Sequence, residues 1–219
     1  MHIPDGFLNG ATIATTAVAS AGGLGAAVKM VGRNLGERQV PLMGMMGAFI
    51  FVAQMLNFPV VGGTSGHIIG TALAVILLGP WAAIVVMSLV LAAQCLIFQD
   101  GGLLALGANV LNMGIIAGLG AHLAYRFLIK VLGEDRCLAA GFVAGWFSVV
   151  IASVATAFEL AVSGTVSLGA VLPAMAGVYA LIGIGEGLAT AAVLGLLRAA
   201  RRDLLKPIKV GGQWEHNEQ

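Results

Sequence analysis

The chain of 219 residues is 59% hydrophobic and 10% charged, with a mean hydropathy of +0.98. That composition excludes a soluble globular domain and describes a polytopic membrane protein. A net charge of +1 gives no basis for nucleic-acid binding, and two cysteines outside any C-x-x-C pair give none for a disulfide framework or a zinc site.

Residues 1–10 hold no Lys or Arg, so they lack the basic region that opens a signal peptide. Met1 is therefore expected to be the mature N-terminus, and the bulky His2 disfavours its removal. Apolar segments then run over 11–31, 41–57, 66–79, 80–98, 103–130, 138–160 and 171–200. Most reach the about 20 residues that a membrane span requires. The third, GHIIGTALAVILLG, is short and stops at the turn signal Gly79-Pro80. It suits a partial span buried among other helices.

Charge sets the number of crossings. Basic residues cluster around GRNLGERQV (Lys29, Arg33, Arg38), YRFLIKVLGEDR (Arg126, Lys130, Arg136) and RAARRDLLKPIK (Arg198, Arg201, Arg202, Lys206, Lys209). The alternate loops, NFPVVGGTSG, FQDGG and FELAVSG, carry at most one acid each. With seven crossings and an outer N-terminus, all 11 basic residues fall on the cytoplasmic side. Fusing 66–98 into one span would place the last two basic clusters outside. The expected fold is an all-α bundle of about seven transmembrane helices. Its N-terminus is outside and folded into the bundle, and its C-terminus is cytoplasmic. Residues 1–205 read as one polytopic domain with an inserted segment at 1–10, and 206–219 as a polar tail.

Small residues recur every four positions in the first span (Ala11, Thr15, Ala19, Gly23, Ala27) and the last (Gly183, Gly187, Ala191, Gly195). Such stripes serve internal helix packing or a membrane partner.

Of the four histidines, His216 lies in the tail and His122 lies one turn before Arg126, where a packed or snorkelling ring is the ordinary role. His2 and His67 lie toward the outer end, in the glycine-bearing stretches MHIPDG and GGTSGHIIG. A free amino terminus, the amide nitrogen of residue 2 and the His2 imidazole can bind one metal together. The first two close a five-membered chelate ring, and the imidazole nitrogen nearer the backbone closes a six-membered one. These nitrogens lie nearly in a plane, and His67 is the natural fourth donor. Square-planar nitrogen ligation suits Ni(II) or Cu(II). Zn(II) prefers a tetrahedron. Pro4, Asp5 and Gly6 can turn the terminus back toward the bundle. On these residues alone, Met-His equally fits an ordinary terminus with no ligand. Asp5, Thr64 and Ser65 are candidates to accept the second N–H of a ligating imidazole, or to serve as turn and cap residues. Glu186, mid-span in the last segment, is either functional or, as the favoured structural reading, protonated or bonded to a neighbouring helix, with Asn109 or Asn112 as candidate partners.

MHIPDGFL at 1–8 together with GGTSGHIIG at 62–70 resembles the substrate-binding (S) component of energy-coupling factor transporters for nickel and cobalt, the NikM/CbiM family. The likeness covers nearly the whole chain. It implies that the inserted N-terminus binds the metal through Met1 (amine), His2 (amide and imidazole) and His67 (imidazole). The IPDG that follows MH leans toward nickel over cobalt. The family setting implies a bacterial or archaeal plasma membrane, no resident cofactor, and Ni2+ or Co2+ as the transported ion. It also implies a transmembrane coupling (T) subunit, cytoplasmic ATPase (A) subunits and a small accessory membrane subunit as partners. The chain has no G-x-x-x-x-G-K-[ST], so ATP hydrolysis belongs to those partners and the chain is not an enzyme.

Two other classes differ in what they require. A self-sufficient metal permease or channel needs polar residues along the whole path, and the inner halves of the spans are nearly bare of ligands. An intramembrane hydrolase built on Ser65 and His67 would have its nucleophile and base two residues apart on one loop, with no third orienting group.

The seven-span reading puts Cys95 in the outer half of the fourth span and Cys137 at the cytoplasmic end of the sixth. Most of a hydrocarbon core of about 30 Å separates them, so no disulfide is expected. A membrane-impermeant thiol reagent applied to intact cells is expected to miss Cys137. Rapid labelling there from outside would overturn the topology.

Overall fold

The first helix, α1 (Gly10–Asn34), starts where Asn9 can cap it: Asn9 Oδ1 accepts the Thr12 N–H at 2.8 Å. The same side chain donates its Nδ2–H to the Val162 carbonyl at 3.2 Å, so one residue both starts a helix and ties it to a distant helix end. The computed structural model describes residues 1–34, 39–56, 58–60 and 64–205, with the backbone alone at 34, 58–60, 64, 65, 202 and 203. The expectations for Arg38, for the 206–219 tail with Lys206 and Lys209, and for His216 fall outside the described residues.

After α1 come α2 (Gln39–Gln54), the strands β1 (Phe58–Val60) and β2 (Thr64–Gly66), α3 (Thr71–Leu78) and α4 (Pro80–Phe98). There follow α5, a continuous helical stretch over Leu106–Leu132 with a π-helical segment at Val110–Ile116, then α6 (Cys137–Val162) and α7 (Leu168–Ala200). Five of these helices, α1 and α4–α7, are long and apolar enough to cross a membrane. The strands form an antiparallel hairpin with Phe58 opposite Gly66, where the sequence suggested an uncharged loop.

The short third segment is half extended. Residues 67–70 have no helical hydrogen bonding, and α3 has 8 residues, a rise of about 12 Å. Residues Thr71 to Leu77 are all buried, because α3 sits inside the bundle rather than against lipid. The exposed side chains are those a hydrocarbon surface accepts: Leu89, Leu96, Leu123, Phe127, Leu181 and Leu196.

Hydrogen bonds fix which ends share a face. Asp5 meets Leu103 and Leu104, Phe7 meets Thr165, and Asn9 meets Val162. At the opposite end Arg198 Nη1 donates to the Asp135 carbonyl at 2.8 Å. The N-terminal segment and the end of α7 therefore lie at opposite ends of the bundle. Lys29, Arg33, Arg126, Lys130, Arg136, Arg198 and Arg201 all lie toward the α7 end. Cys95 and Cys137 sit toward opposite ends, and both thiols are free.

The two small-residue stripes differ. Gly183 and Gly187 pack on Trp146 and Phe142 of α6, so the last-span stripe is an internal face. In α1 the expected stripe is internal at its second half, where Gly23 packs on Ile115 and Ala27 is buried, but displaced by one position in the first half. Thr12, Thr16 and Ser20 face inward, while Ala11, Thr15 and Ala19 are exposed. Thr16 and Ser20 bond back to their own helix, Thr16 to the Thr12 carbonyl at 2.8 Å, while the Thr12 hydroxyl accepts from Ser163 at 3.1 Å.

Candidate functional site

The N-terminus is threaded into the bundle. Met1, His2 and Ile3 are at most 4% exposed. An extended segment at that depth needs partners for its peptide groups, and Asn109 supplies them at Ile3. Its Oδ1 accepts the Ile3 N–H at 2.8 Å, and its Nδ2–H donates to the Ile3 carbonyl at 3.2 Å. The Gly102 N–H donates to that same carbonyl at 2.9 Å. A side chain at Gly102 would overlap the Pro4 and Asp5 backbone, so the terminus and the 99–105 loop fit together only without one. Ile3 itself is fully buried and anchors the segment in the core.

That docking brings together the residues singled out in the sequence, Met1, His2 and His67. The Met1 amine lies 2.8 Å from His67 Nε2. The His2 and His67 rings stack with centroids 4.7 Å apart and planes 24° from parallel. The hydrogen bonds also set the tautomers. His67 Nδ1 lies 2.9 Å from the Ile68 carbonyl, which can only accept, so Nδ1 carries the proton and Nε2 holds the lone pair. His2 Nε2 lies 3.1 Å from Gln94 Oε1 and donates to it. This leaves His2 Nδ1, the nitrogen nearer the backbone, with a lone pair. It is buried and makes no hydrogen bond, although Asp100 Oδ1 lies 3.3 Å away. A buried nitrogen of this kind, beside an amine and a second imidazole lone pair, is a place for a cation to bind. Among the described residues no group of three or more His, Cys, Asp or Glu side chains is arranged to hold a metal, so a chelate here needs backbone nitrogen.

Two expectations need correction. Asp5 does not orient an imidazole: it is exposed, and its carboxylate accepts the Leu103 and Leu104 N–H groups at 3.0 and 2.8 Å, which holds the loop to the terminus. Its place beside His2 is taken by Asp100 and Gln94. Glu186 does not bond Asn109 or Asn112. Asn109 is committed to Ile3, and Asn112 to Thr156 and Glu159 on α6, while Glu186 accepts the Ile69 and Gly70 N–H groups. Thr64 and Ser65 are described as backbone only, in β2, so their assignment lies outside the described side chains. Gln94 was missed, and its signal is a lone amide inside the apolar run LVLAAQCLIF.

Fold and site together define a polytopic membrane protein whose N-terminus is buried beside two imidazoles. Residues 2–204 match the CbiM family, described as the cobalt uptake substrate-specific transmembrane region. A protein of Archaeoglobus fulgidus that bears the name of a fused nickel transport protein, NikMN, is 41% identical over 208 residues, which cover 94% of this chain and 68% of that protein. The cobalt transport protein CbiM of Acetohalobium arabaticum is 32% identical over 220 residues, covering 96% of this chain and 86% of its own. A crystal structure of a truncated transition metal transporter matches with a TM-score of 0.87 at 34% identity, over 91% of this chain and 99% of that one. The chain belongs to the CbiM/NikM family of nickel and cobalt uptake proteins.

Burial holds the Met1 amine well below its ordinary value, with the Asp100 carboxylate pulling it back up. Burial, and secondarily the neighbouring amine, lowers His2 from 6.5 to about 3. A base whose pKa falls on docking takes its proton first in the released segment. Docking is therefore at full strength above about pH 8, where the released amine is neutral, and weakens as pH falls from there, further below about 6.5 as the released His2 also takes a proton. In the metal-free protein, exchange at the Ile3 and Gly102 amides is expected to speed up over that range relative to core helix amides. Equal protection at pH 7 and pH 4, after correction for intrinsic rates, would contradict the docked geometry.

Proposed function

We propose that this chain captures Ni2+, and Co2+ less readily, as the substrate-specificity subunit of an ATP-driven energy-coupling factor importer. The observation that carries the reading is the Met1 amine 2.8 Å from His67 Nε2, with the unbonded His2 Nδ1 beside them. The ligands are the Met1 amine, the His2 amide nitrogen, His2 Nδ1 and His67 Nε2. The first three form fused five- and six-membered chelate rings and so lie in one plane. His67 occupies the fourth corner. A d8 ion such as Ni(II) favours that square of nitrogens. In the metal-free protein the amine and Nε2 share a proton, and the ion takes its place.

The chain supplies binding and no fuel, having no phosphate-binding loop. Cytoplasmic ATPases, a transmembrane coupling subunit and a small accessory membrane subunit complete the machine. In support, the chain spans 68% of the A. fulgidus NikMN protein and 64% of the fused NikMN of Rhodobacter capsulatus. Those relatives therefore carry a region beyond the one matched here. Nucleic acid plays no part. Residues 1–205 form one transmembrane domain in a bacterial or archaeal plasma membrane, with 206–219 as a cytoplasmic tail. The basic residues gathered at the α7 end mark the cytoplasmic face, so the metal site opens outward and the ion is released inward when partner motion disturbs it.

The amine decides the test. One residue added before Met1 turns that amine into an amide and lengthens the segment by about 3.5 Å. Nickel affinity of the purified protein is expected to fall at least about 100-fold, beyond the about 10- to 100-fold typical for loss of a ligand's supporting partner. His67→Ala is expected to do the same, with expression unchanged in both. Full nickel affinity in the extended variant would refute the N-terminal chelate.

A further inference from the structure

We infer that Glu186 is the positioning residue for His67 and ties the metal site to α7. This rests on the site reading above. Glu186 is 1% exposed, in the middle of a helix of 33 residues. Its Oε2 accepts the Ile69 N–H at 2.7 Å and its Oε1 the Gly70 N–H at 2.8 Å. Two successive N–H groups pointing at one anion form a nest. Gly70 makes that geometry accessible: its φ is +79°, and a Cβ there would meet Ile50 Cγ1 at 2.8 Å.

The connection to the site runs through one peptide unit. His67 Nδ1–H donates to the Ile68 carbonyl, and the N–H of that same planar amide belongs to Ile69 and donates to Glu186. Ring, peptide and carboxylate form a chain of hydrogen bonds across a rigid plane. Gln54 Nε2–H donates to the Ile69 carbonyl at 2.6 Å, and Thr71 Oγ1–H to the Met113 carbonyl at 2.7 Å, so α2 and α5 hold the flanks of the turn. Glu186 is the carboxylate in this set. An anion on the N–H side of the peptide strengthens its carbonyl as an acceptor, which makes His67 Nε2 a better donor to a metal. The lever arm is long. From Glu186, α7 runs on to Arg198, which is bonded to the start of α6 at the far end. A shift of α7 along its axis draws the carboxylate from the two amides and lets His67 rotate out of the donor plane.

The test uses the full-length chain and the near-isosteric Glu186→Gln, which keeps volume and removes charge. Nickel affinity is expected to fall about 10- to 100-fold, with faster dissociation and a d–d band moved to longer wavelength. On a His67→Ala background the same substitution is expected to change nothing further, because Glu186 acts through His67. Equal losses on both backgrounds would mean general destabilisation and would overturn the inference. A metal-free readout separates this from the site reading. The His67 Nδ1–H nuclear resonance is expected to be protected in the parent and exposed to exchange in Glu186→Gln. An unchanged resonance overturns the positioning role whatever the metal does. Nickel binding by the parent that ignores His67→Ala would refute the site reading alone.

Discussion

The insertion of residues 1–3 is the constraint on which the rest of the structure depends. A chain terminus ordinarily carries a charge and stays in water, and burying an unpaired ammonium is strongly disfavoured. Here the Met1 nitrogen is buried against an imidazole that must accept from it. The conflict is resolved if the amine is neutral, and a neutral amine is a ligand. The Asn109 clamp, the Gly102 contact and the buried Ile3 side chain offset the loss of hydration. The Pro4–Gly6 turn and the Asp5 carboxylate serve this docking rather than the orientation of an imidazole, which explains why Asp5 faces the 103–104 amides.

The bundle is shaped around that insertion. Irregular backbone at membrane depth is tolerable where protein groups satisfy it, and the stretch from His67 to Gly70 meets that condition through Glu186 and Gln54. Half-helices that begin beside a bound ion are a recurring transporter device, and α3 begins at Thr71, four residues beyond His67. The π-helical turn at Val110–Ile116 follows Asn109 directly, and wide turns of this kind often mark functional positions. Among the described residues, the polar groups of the site gather toward one end and the basic residues toward the other.

Much of this was legible in the residues. Seven apolar segments, the break at Gly79-Pro80 and the short third segment follow from hydropathy and turn chemistry alone, and all recur in the fold. The pairing of His2 with His67 followed from chelate geometry plus a family likeness. What was hidden is what depends on which faces meet. The period of four in α1 was seen, and Gly23 and Ala27 pack inside as read, but in the first half the buried phase is set by Thr12, Thr16 and Ser20, whose hydroxyls bond to Ser163 or back to their own helix. Gln94, Asp100 and Asn109 are 92 to 106 residues from the segment they support, a separation that no local pattern records. Glu186 stood out as a carboxylate in an apolar helix. Its partners are backbone amides, which carry no side-chain signature.

The most direct test of the planar four-nitrogen site is the electronic state of nickel bound to the purified, full-length chain. A square of strong nitrogen donors around a d8 ion predicts a diamagnetic, yellow complex with a single visible d–d envelope and no coordinated water. A paramagnetic, pale-green, six-coordinate ion would contradict it.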